Sequence, residues 1–255
     1  MERVTFSQEM IFRKSWDYMK KQGITMVGLY LAFIVVSMIL SFVSGKDMTS
    51  GRYIVGNFLT LILSWGFGMG FCKLVLNILD GMEPKMDVFL SVWFRAWTYL
   101  KLEILILLVM AVCGMIAFLV VDLTISVPSV ISDFTSPIGY SVLGVLFVFL
   151  CWFMIRISFA GIIIFDTDLG TMEALRRSWR ITKGHVLELV FLCILILLLN
   201  ILGFIALIIG IFFTVVMSQF VYTIAYRILW ALYQEKEEPV FESVTEDNDK
   251  LESVE

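Results

Sequence analysis

Five ionisable side chains fall within long apolar stretches of the sequence, and they are the residues best placed to do chemistry. Lys73, Arg156 and Arg227 lie toward the ends of three such stretches, whereas Glu103 and Glu188 lie near the starts of two others. A charge inside a membrane span is costly and suggests a function. Two interpretations are open. The cations snorkel or pair with the two glutamates, or they line a cytoplasm-facing cavity or a head-group pocket for anionic phospholipid.

No catalytic, cofactor-binding or metal-binding pattern accompanies these charges. His185 is the only histidine, so neither a histidine-centred triad nor a multi-histidine metal site can be assembled. The four cysteines lie in apolar runs without CxxC spacing, which favours small buried side chains. The sequence also contains no glycine-rich phosphate loop. We therefore expect a protein that is not an enzyme and binds neither a cofactor nor a metal ion.

The elements that must position these charges are membrane spans. Of the 255 residues, 60% are hydrophobic and 16% are charged, which is too apolar for a soluble domain. Helices are the expected spanning elements because the alternation typical of a membrane barrel is absent. The sequence thus predicts an all-α integral membrane protein with about six transmembrane helices, over 24–43, 53–79, 102–121, 140–165, 186–208 and 211–232, with a tight reversal within 203–210.

The basic residues predict the orientation of the spans. Fifteen lysines and arginines fall in the segments on one side of a six-span arrangement and two, Lys46 and Arg52, fall on the other. The positive-inside rule then places both termini in the cytoplasm and the loops 45–52 and 122–137 outside. Residues 234–255 are rich in acidic and polar residues, and we expect them to form a disordered cytoplasmic tail.

A basic, aromatic segment recurs before each outgoing span. Residues 11–16 match 174–179 at an offset of 163, and a more diverged copy aligns with 174–179 at an offset of 86. The three copies place Trp16, Trp93 and Trp179 in equivalent positions as interfacial anchors. We predict one membrane domain, residues 1–233, built from three repeats (8–79, 86–165 and 172–232), each an amphipathic interfacial helix followed by a helix pair.

The helical spacing of these copies predicts an aromatic face on each, buried among acyl chains or against the helix bundle. Phe12, Trp16 and Met19 share one face of the first copy, and Leu175, Trp179 and Thr182 share one face of the third. The second span also contains Gly-Phe-Gly-Met-Gly at 66–70. Small residues at this spacing favour close helix packing, or a flexible helix, over a ligand loop.

The stretch Ala174-Leu175-Arg176-Arg177-Ser178-Trp179 is followed by Lys183-Gly184, by two tightly joined spans, and by Tyr222 and Tyr226. In these features the chain resembles a group of bacterial polytopic membrane proteins, the YciC-like proteins and the membrane domain joined to some glycerophosphodiester phosphodiesterases. The resemblance covers mainly residues 171–255. It implies a six-helix protein of the bacterial inner membrane and supplies no particular activity.

Together these patterns favour a non-enzymatic, multi-pass protein of the bacterial inner membrane with a structural, regulatory or lipid-organising role. Its expected partners are membrane lipids, anionic phospholipid among them, and a further membrane protein, with no role for nucleic acid. The alternative is a small transporter or lipid-handling protein with a cavity between the repeats. Polar residues in the outer halves of the spans are few, and this disfavours the transporter.

Overall fold

Helices make up nearly all of the residues that the computed structural model describes, which are 6–45, 50–85, 87–126, 129–167 and 169–252. These residues form no strand. A short 3₁₀ turn, Val92–Arg95, joins the third and fourth helices. The α-helices are α1 (Gln8–Ser44), α2 (Gly51–Leu79), α3 (Val88–Ser91), α4 (Ala96–Ser126), α5 (Ser129–Ile157), α6 (Ala160–Thr167), α7 (Thr171–Ile181), α8 (Val186–Ile205) and α9 (Leu207–Glu252).

Six helical stretches are long and apolar enough to cross a bilayer. Inside a bilayer, helices satisfy their own backbone N–H and C=O groups, which is why such apolar sequences fold this way. The chain is therefore an all-α, polytopic membrane protein, as predicted. The six stretches are Gln8–Ser44, Gly51–Leu79, Val92–Asp122, Tyr140–Thr167, Val186–Ile205 and Gly210–Glu235.

The first span differs from its prediction because it has no separate interfacial helix. α1 runs without a break from Gln8 to Ser44, so Trp16 and the span that follows lie on one helix of 37 residues. Gly23 does not interrupt it. This glycine sits against the Met19 side chain, and a Cβ there would lie 2.9 Å from the Met19 sulfur.

The predicted outer loop at 122–137 is mostly helical. α4 continues to Ser126 and α5 begins at Ser129, so the connection is far shorter than the sequence suggests. Polar residues such as Asp122 do not end the helix, because continuing it keeps the backbone hydrogen bonds internal. In the other predicted outer loop, 45–52, α2 already begins at Gly51. Residues 46–49 of that prediction lie outside the described residues.

The predicted reversal between the last two spans is confirmed. α8 ends at Ile205, Ala206 forms the turn, and α9 begins at Leu207. Gly203 and Gly210 allow the two helices to approach closely here. A Cβ on Gly203 would lie 2.2 Å from the Thr214 hydroxyl oxygen, and one on Gly210 would lie 2.5 Å from the Gly203 carbonyl oxygen.

Two further boundaries differ from the predictions. The fourth span is not one helix, since α5 ends at Ile157 and α6 begins at Ala160, and the Ser158 hydroxyl donates to the Ile155 carbonyl at 2.9 Å. α9 continues to Glu252, through most of the segment that the sequence predicts to be disordered. The good helix formers from Ala231 to Glu238 favour the first part of this continuation, and Pro239 disfavours the part beyond it.

The helices group into two compact units that cut across the predicted repeats. The first unit comprises Met1–Phe94 with Leu187–Glu255, and the second comprises Arg95–Val186. Large side chains of α1, α2 and α9 form the core of the first unit, with Met26, Val75 and Phe220 fully buried. Tight packing supplies most of the attraction here, because lipid tails are as apolar as these side chains.

The second unit is organised around the short helix α6. Phe159, Ala160, Ile163 and Ile164 are fully buried there. Two polar contacts fix the helix ends around this core. The Arg95 guanidinium donates to the Ile164 carbonyl at 2.8 Å, and the Thr171 hydroxyl donates to the Thr98 carbonyl at 2.9 Å.

Candidate functional site

Arg156 lies at the end of α5 in the second unit, where α7 packs against it. α7 buries Ala174 and Ser178, two small residues one turn apart that let its backbone come close to the neighbouring helix. The Ser178 hydroxyl donates to the Arg156 carbonyl at 2.8 Å. This contact fixes the basic helix α7 beside the last turn of the span.

The Arg156 guanidinium lies between two tryptophans. Its central carbon is 5.5 Å from the centroid of the Trp152 ring and 5.1 Å from that of Trp179. The two rings meet edge to face at 5.1 Å, and one guanidinium nitrogen donates to the Trp179 carbonyl at 2.9 Å. Contacts of this kind contribute about 0.5–2 kcal/mol each, more where water is excluded. We call this group the Arg156 clamp.

The Arg156 clamp provides a fixed cation with spare hydrogen-bond donors. A guanidinium carries five N–H groups, and the described protein groups accept one of them, at Trp179. The Nε atom is buried and has no acceptor among the described residues. No carboxylate among the described residues forms an ion pair with Arg156. Glu103, one of the two glutamates predicted as partners of the cations, lies half-buried on α4 in this unit without such a contact.

Arg227 has a partner that the sequence analysis did not predict. On α9 in the first unit, one guanidinium nitrogen of Arg227 donates to both carboxylate oxygens of Asp80, at 2.8 and 2.7 Å. Asp80 is the residue that ends α2. This pair joins the C-terminal end of α2 to the middle of α9. Asp80 therefore provides a carboxylate that neutralises Arg227.

Lys73 and Glu188 also belong to the first unit. Lys73 is half-buried on α2, within the last two turns of the helix, and Glu188 is exposed in the first turn of α8. The backbone carbonyl of Glu188 accepts a hydrogen bond from the Gln8 side chain at 2.8 Å. Since Arg156 lies in the other unit, a head-group pocket shared by Lys73, Arg156 and Arg227 stays a prediction.

The three tryptophans share one burial pattern, which differs by one residue from the predicted faces. In each copy two residues four apart are buried and the tryptophan directly after the second is 37–44% exposed. On α7 the buried residues are Ala174 and Ser178, each one position before the predicted Leu175 and Trp179. Small or β-branched residues pack more closely than bulky ones, so the tryptophans lie at the edge of each contact. The three sets are Ile11, Ser15 and Trp16; Val88, Val92 and Trp93; Ala174, Ser178 and Trp179.

Each tryptophan contacts a returning span. Trp16 lies edge to face with Phe213 of α9, with ring centroids 5.8 Å apart. Trp179 contacts Trp152 of α5 as described above. Trp93 lies over Gly66 of α2, where a Cβ would be 2.8 Å from its ring. The anchors therefore contact the protein with one side of the ring and leave the other side exposed.

The glycine pattern in α2 forms two notches. Phe89 occupies the second notch, since a Cβ on Gly70 would lie 2.2 Å from its ring, and Trp93 occupies the first at Gly66. Gly68, between them, is exposed and has no atom within 4 Å of a Cβ position. The prediction of close packing is thus confirmed for Gly66 and Gly70.

Two cavities of the first unit flank α3. An apolar groove of about 390 Å³ lies between α1 and α2. A second pocket of about 360 Å³ lies beyond the end of α2; most of its surface is apolar, but charged side chains contribute to its lining, and we call it the polar pocket. The groove is lined by Leu29, Ala32, Phe33, Val36, Leu63, Phe67 and Phe89. The pocket is lined by Asn77, Met82, Glu83, Lys85, Asp87 and Val88.

The described side chains contain no cluster of three or more histidine, cysteine, aspartate or glutamate residues that could hold a metal ion. The chemistry available at the Arg156 clamp is binding of an anion by a positioned guanidinium.

No protein-family model, curated protein or solved structure matches this chain. The resemblance to YciC-like and related membrane proteins therefore stays a prediction.

Proposed function

We propose that this polytopic protein is a non-enzymatic component of the bacterial inner membrane that organises lipid by holding an anionic phospholipid head group at the Arg156 clamp. Its termini would be cytoplasmic, as the distribution of basic residues predicts. The observation that carries the proposal is the guanidinium of Arg156, which lies between Trp152 and Trp179 and forms no ion pair with a described carboxylate.

The geometry of the Arg156 clamp suits a phosphate. Planar guanidinium groups bind phosphate oxygens through two parallel N–H groups. Both tryptophans are 37% exposed, so the guanidinium between them is accessible from one side. Aromatic rings of this kind are typical of the head-group level of a bilayer. A phosphodiester at this level would meet a cation that is already oriented.

α7 adds further positive charge next to the Arg156 clamp. Arg176 and Arg180 are exposed on this helix and Arg177 is half-buried. Each basic residue near an anionic bilayer surface contributes about 1 kcal/mol of attraction. α7 would therefore concentrate anionic lipid around the Arg156 clamp. A regulatory or structural partnership with another membrane protein would build on the same lipid site, and the alternative of a small transporter stays a prediction.

Native mass spectrometry of the full-length protein, purified with a defined lipid mixture, tests the proposal. Arg156→Gln should lower the retention of phosphatidylglycerol about fivefold, the loss of roughly 1 kcal/mol from one positioned cation. Arg156→Lys keeps the charge but loses the planar guanidinium. Its retention of phosphatidylglycerol should lie between that of the unaltered chain and that of Arg156→Gln.

Lys101→Gln is the matched control, because Lys101 lies in the same unit and is exposed over one tryptophan ring, 5.7 Å from the centroid of Trp97. This variant should retain nearly as much phosphatidylglycerol as the unaltered chain. Equal retention by the Arg156→Gln and Lys101→Gln variants would refute the proposal. So would unchanged retention in Arg156→Gln together with a large fall in thermal stability, which would make Arg156 a structural residue.

A further inference from the structure

The apolar groove of the first unit lies between two membrane-spanning helices. Its side chains are aliphatic or aromatic, and Phe33 stacks on Phe67 with ring centroids 4.0 Å apart. At this position in a bilayer, water is excluded and hydrocarbon chains surround the helices. A volume of about 390 Å³ is within the range of ligand-binding pockets. An acyl chain is therefore the occupant that fits the groove.

The polar pocket carries charges of both signs. Lys85 provides a cation, Glu83 and Asp87 provide carboxylates, and Asn77 provides an amide. A simple anion would be attracted by Lys85 and repelled by both carboxylates. A zwitterion fits better, because its phosphate can accept hydrogen bonds from Lys85 and Asn77 while its cationic end meets a carboxylate.

α3 contributes one residue to each cavity. Val88 lines the polar pocket and the next residue, Phe89, lines the apolar groove. Phe89 is held in the notch at Gly70 and lies 5.9 Å from Phe67 between ring centroids. The charged pocket lies at the end of a span and the apolar groove lies along it. A phospholipid has the same arrangement, with a charged head group followed by an acyl chain.

We propose that the first unit binds one amine-bearing phospholipid of the phosphatidylethanolamine type, with an acyl chain in the groove and the head group in the polar pocket. The primary ammonium donates up to three hydrogen bonds, and Glu83 and Asp87 accept them. A choline head group has no N–H to donate, and a glycerol head group has no cation. This site is separate from the Arg156 clamp and does not rest on the proposal made for it.

Competition among lipids tests the inference. The full-length protein is exchanged into mixed micelles containing equal amounts of phosphatidylethanolamine, phosphatidylcholine and phosphatidylglycerol, and bound lipids are identified by native mass spectrometry. Phosphatidylethanolamine should be retained over phosphatidylcholine. Neutralising both carboxylates in the Glu83→Gln/Asp87→Asn variant should reduce that preference about fivefold, the effect of one exposed ion pair. Glu173→Gln, an exposed carboxylate of the second unit, should leave it unchanged.

Filling the groove is an independent test. Ala32→Trp places a large ring in the groove and should reduce retention of every diacyl lipid at this site. Ala111→Trp makes the same change on an exposed position of the second unit and should have no such effect. Equal retention of phosphatidylethanolamine and phosphatidylcholine by the unaltered chain overturns the inference, as do equal losses in both tryptophan variants.

The carboxylate variant keeps the inference testable if Ala32→Trp does not fold, since Glu83 and Asp87 are exposed and outside the core. Arg156→Gln separates the two lipid proposals. It should lower phosphatidylglycerol retention and leave phosphatidylethanolamine unchanged. Loss of phosphatidylethanolamine in that variant would contradict a separate site in the first unit.

Discussion

The three glycines at 66, 68 and 70 offer a sharp test of how the first unit packs, because only two of them face another side chain. A Cβ at Gly70 would lie 2.2 Å from the Phe89 ring and one at Gly66 would lie 2.8 Å from the Trp93 ring, whereas Gly68 faces open space. Replacing each glycine with alanine in turn adds the same methyl group to the same helix. The variants differ only in what the methyl group meets.

Two opposing terms set the expected stability of each variant. Alanine is favoured over glycine in a helix interior by about 1 kcal/mol, and Gly68→Ala should show this gain, in full or in part. Gly70→Ala gains the same term but forces Phe89 to move, and adding a methyl group to a packed site costs about 1–3 kcal/mol. The two variants should therefore differ in unfolding free energy by about 1–3 kcal/mol, with Gly66→Ala between them because its contact is longer.

Reversible unfolding in mixed micelles, followed by the fluorescence of Trp93 in a chain whose other tryptophans are replaced by phenylalanine, measures these differences. Shortening the obstructing ring provides a check on the cause. The Gly70→Ala substitution should lower the unfolding free energy less when Phe89 is replaced by leucine than when Phe89 is present. Gly68→Ala and Gly70→Ala variants of equal stability would refute the notch packing. A Gly70→Ala loss of stability that Phe89→Leu leaves unchanged would show that the loss arises elsewhere.

Three further predictions concern charge, topology and depth. A double-mutant cycle on Arg227→Gln and Asp80→Asn should give a coupling of about 0.2–1 kcal/mol that weakens with salt, because this pair is partly exposed; a coupling of zero at low salt would contradict an energetic role. In a chain whose native cysteines are replaced, an impermeant thiol reagent applied to intact cells should label Ser50→Cys and spare Ser243→Cys, and the reverse result would invert the predicted orientation. Lipid-borne quenchers should reach a sole Trp179 most efficiently at shallow depth, and efficient quenching only at the bilayer centre would count against its role as an interfacial anchor.

The sequence was sufficient to predict the helical class, the number of spans and a reversal within 203–210, where the turn at Ala206 lies. These features depend on local quantities, namely the length of each apolar run and the glycines beside the reversal. Helix ends were harder to place. The polar residues around 122–137 are typical of a loop in water, but next to a membrane the cost of unsatisfied backbone groups extends α4 and α5 through them.

The contacts of the charged residues could not be predicted in the same way. Arg227 and Asp80 are 147 positions apart in the sequence, and no periodicity links them. Their pairing depends on α9 returning to pack beside α2. The Arg156 clamp was missed for a similar reason: Trp152 is one helical turn from Arg156 and could have been noticed, but Trp179 reaches it only after the chain has turned back through α6.

The discontinuous make-up of the first unit has a consequence for biogenesis. α1 and α2 leave the ribosome early, yet Val216 and Phe220, which complete their core, follow about 120 residues after Phe94. At about 5–20 residues per second, synthesis of that interval takes roughly 6–24 s. Throughout this time Met26 and Val75 face lipid, which solvates them at little cost. Lipid thus solvates the core residues of the first unit until α9 is made. In the cytosol, an apolar surface exposed for the same time would be prone to aggregation.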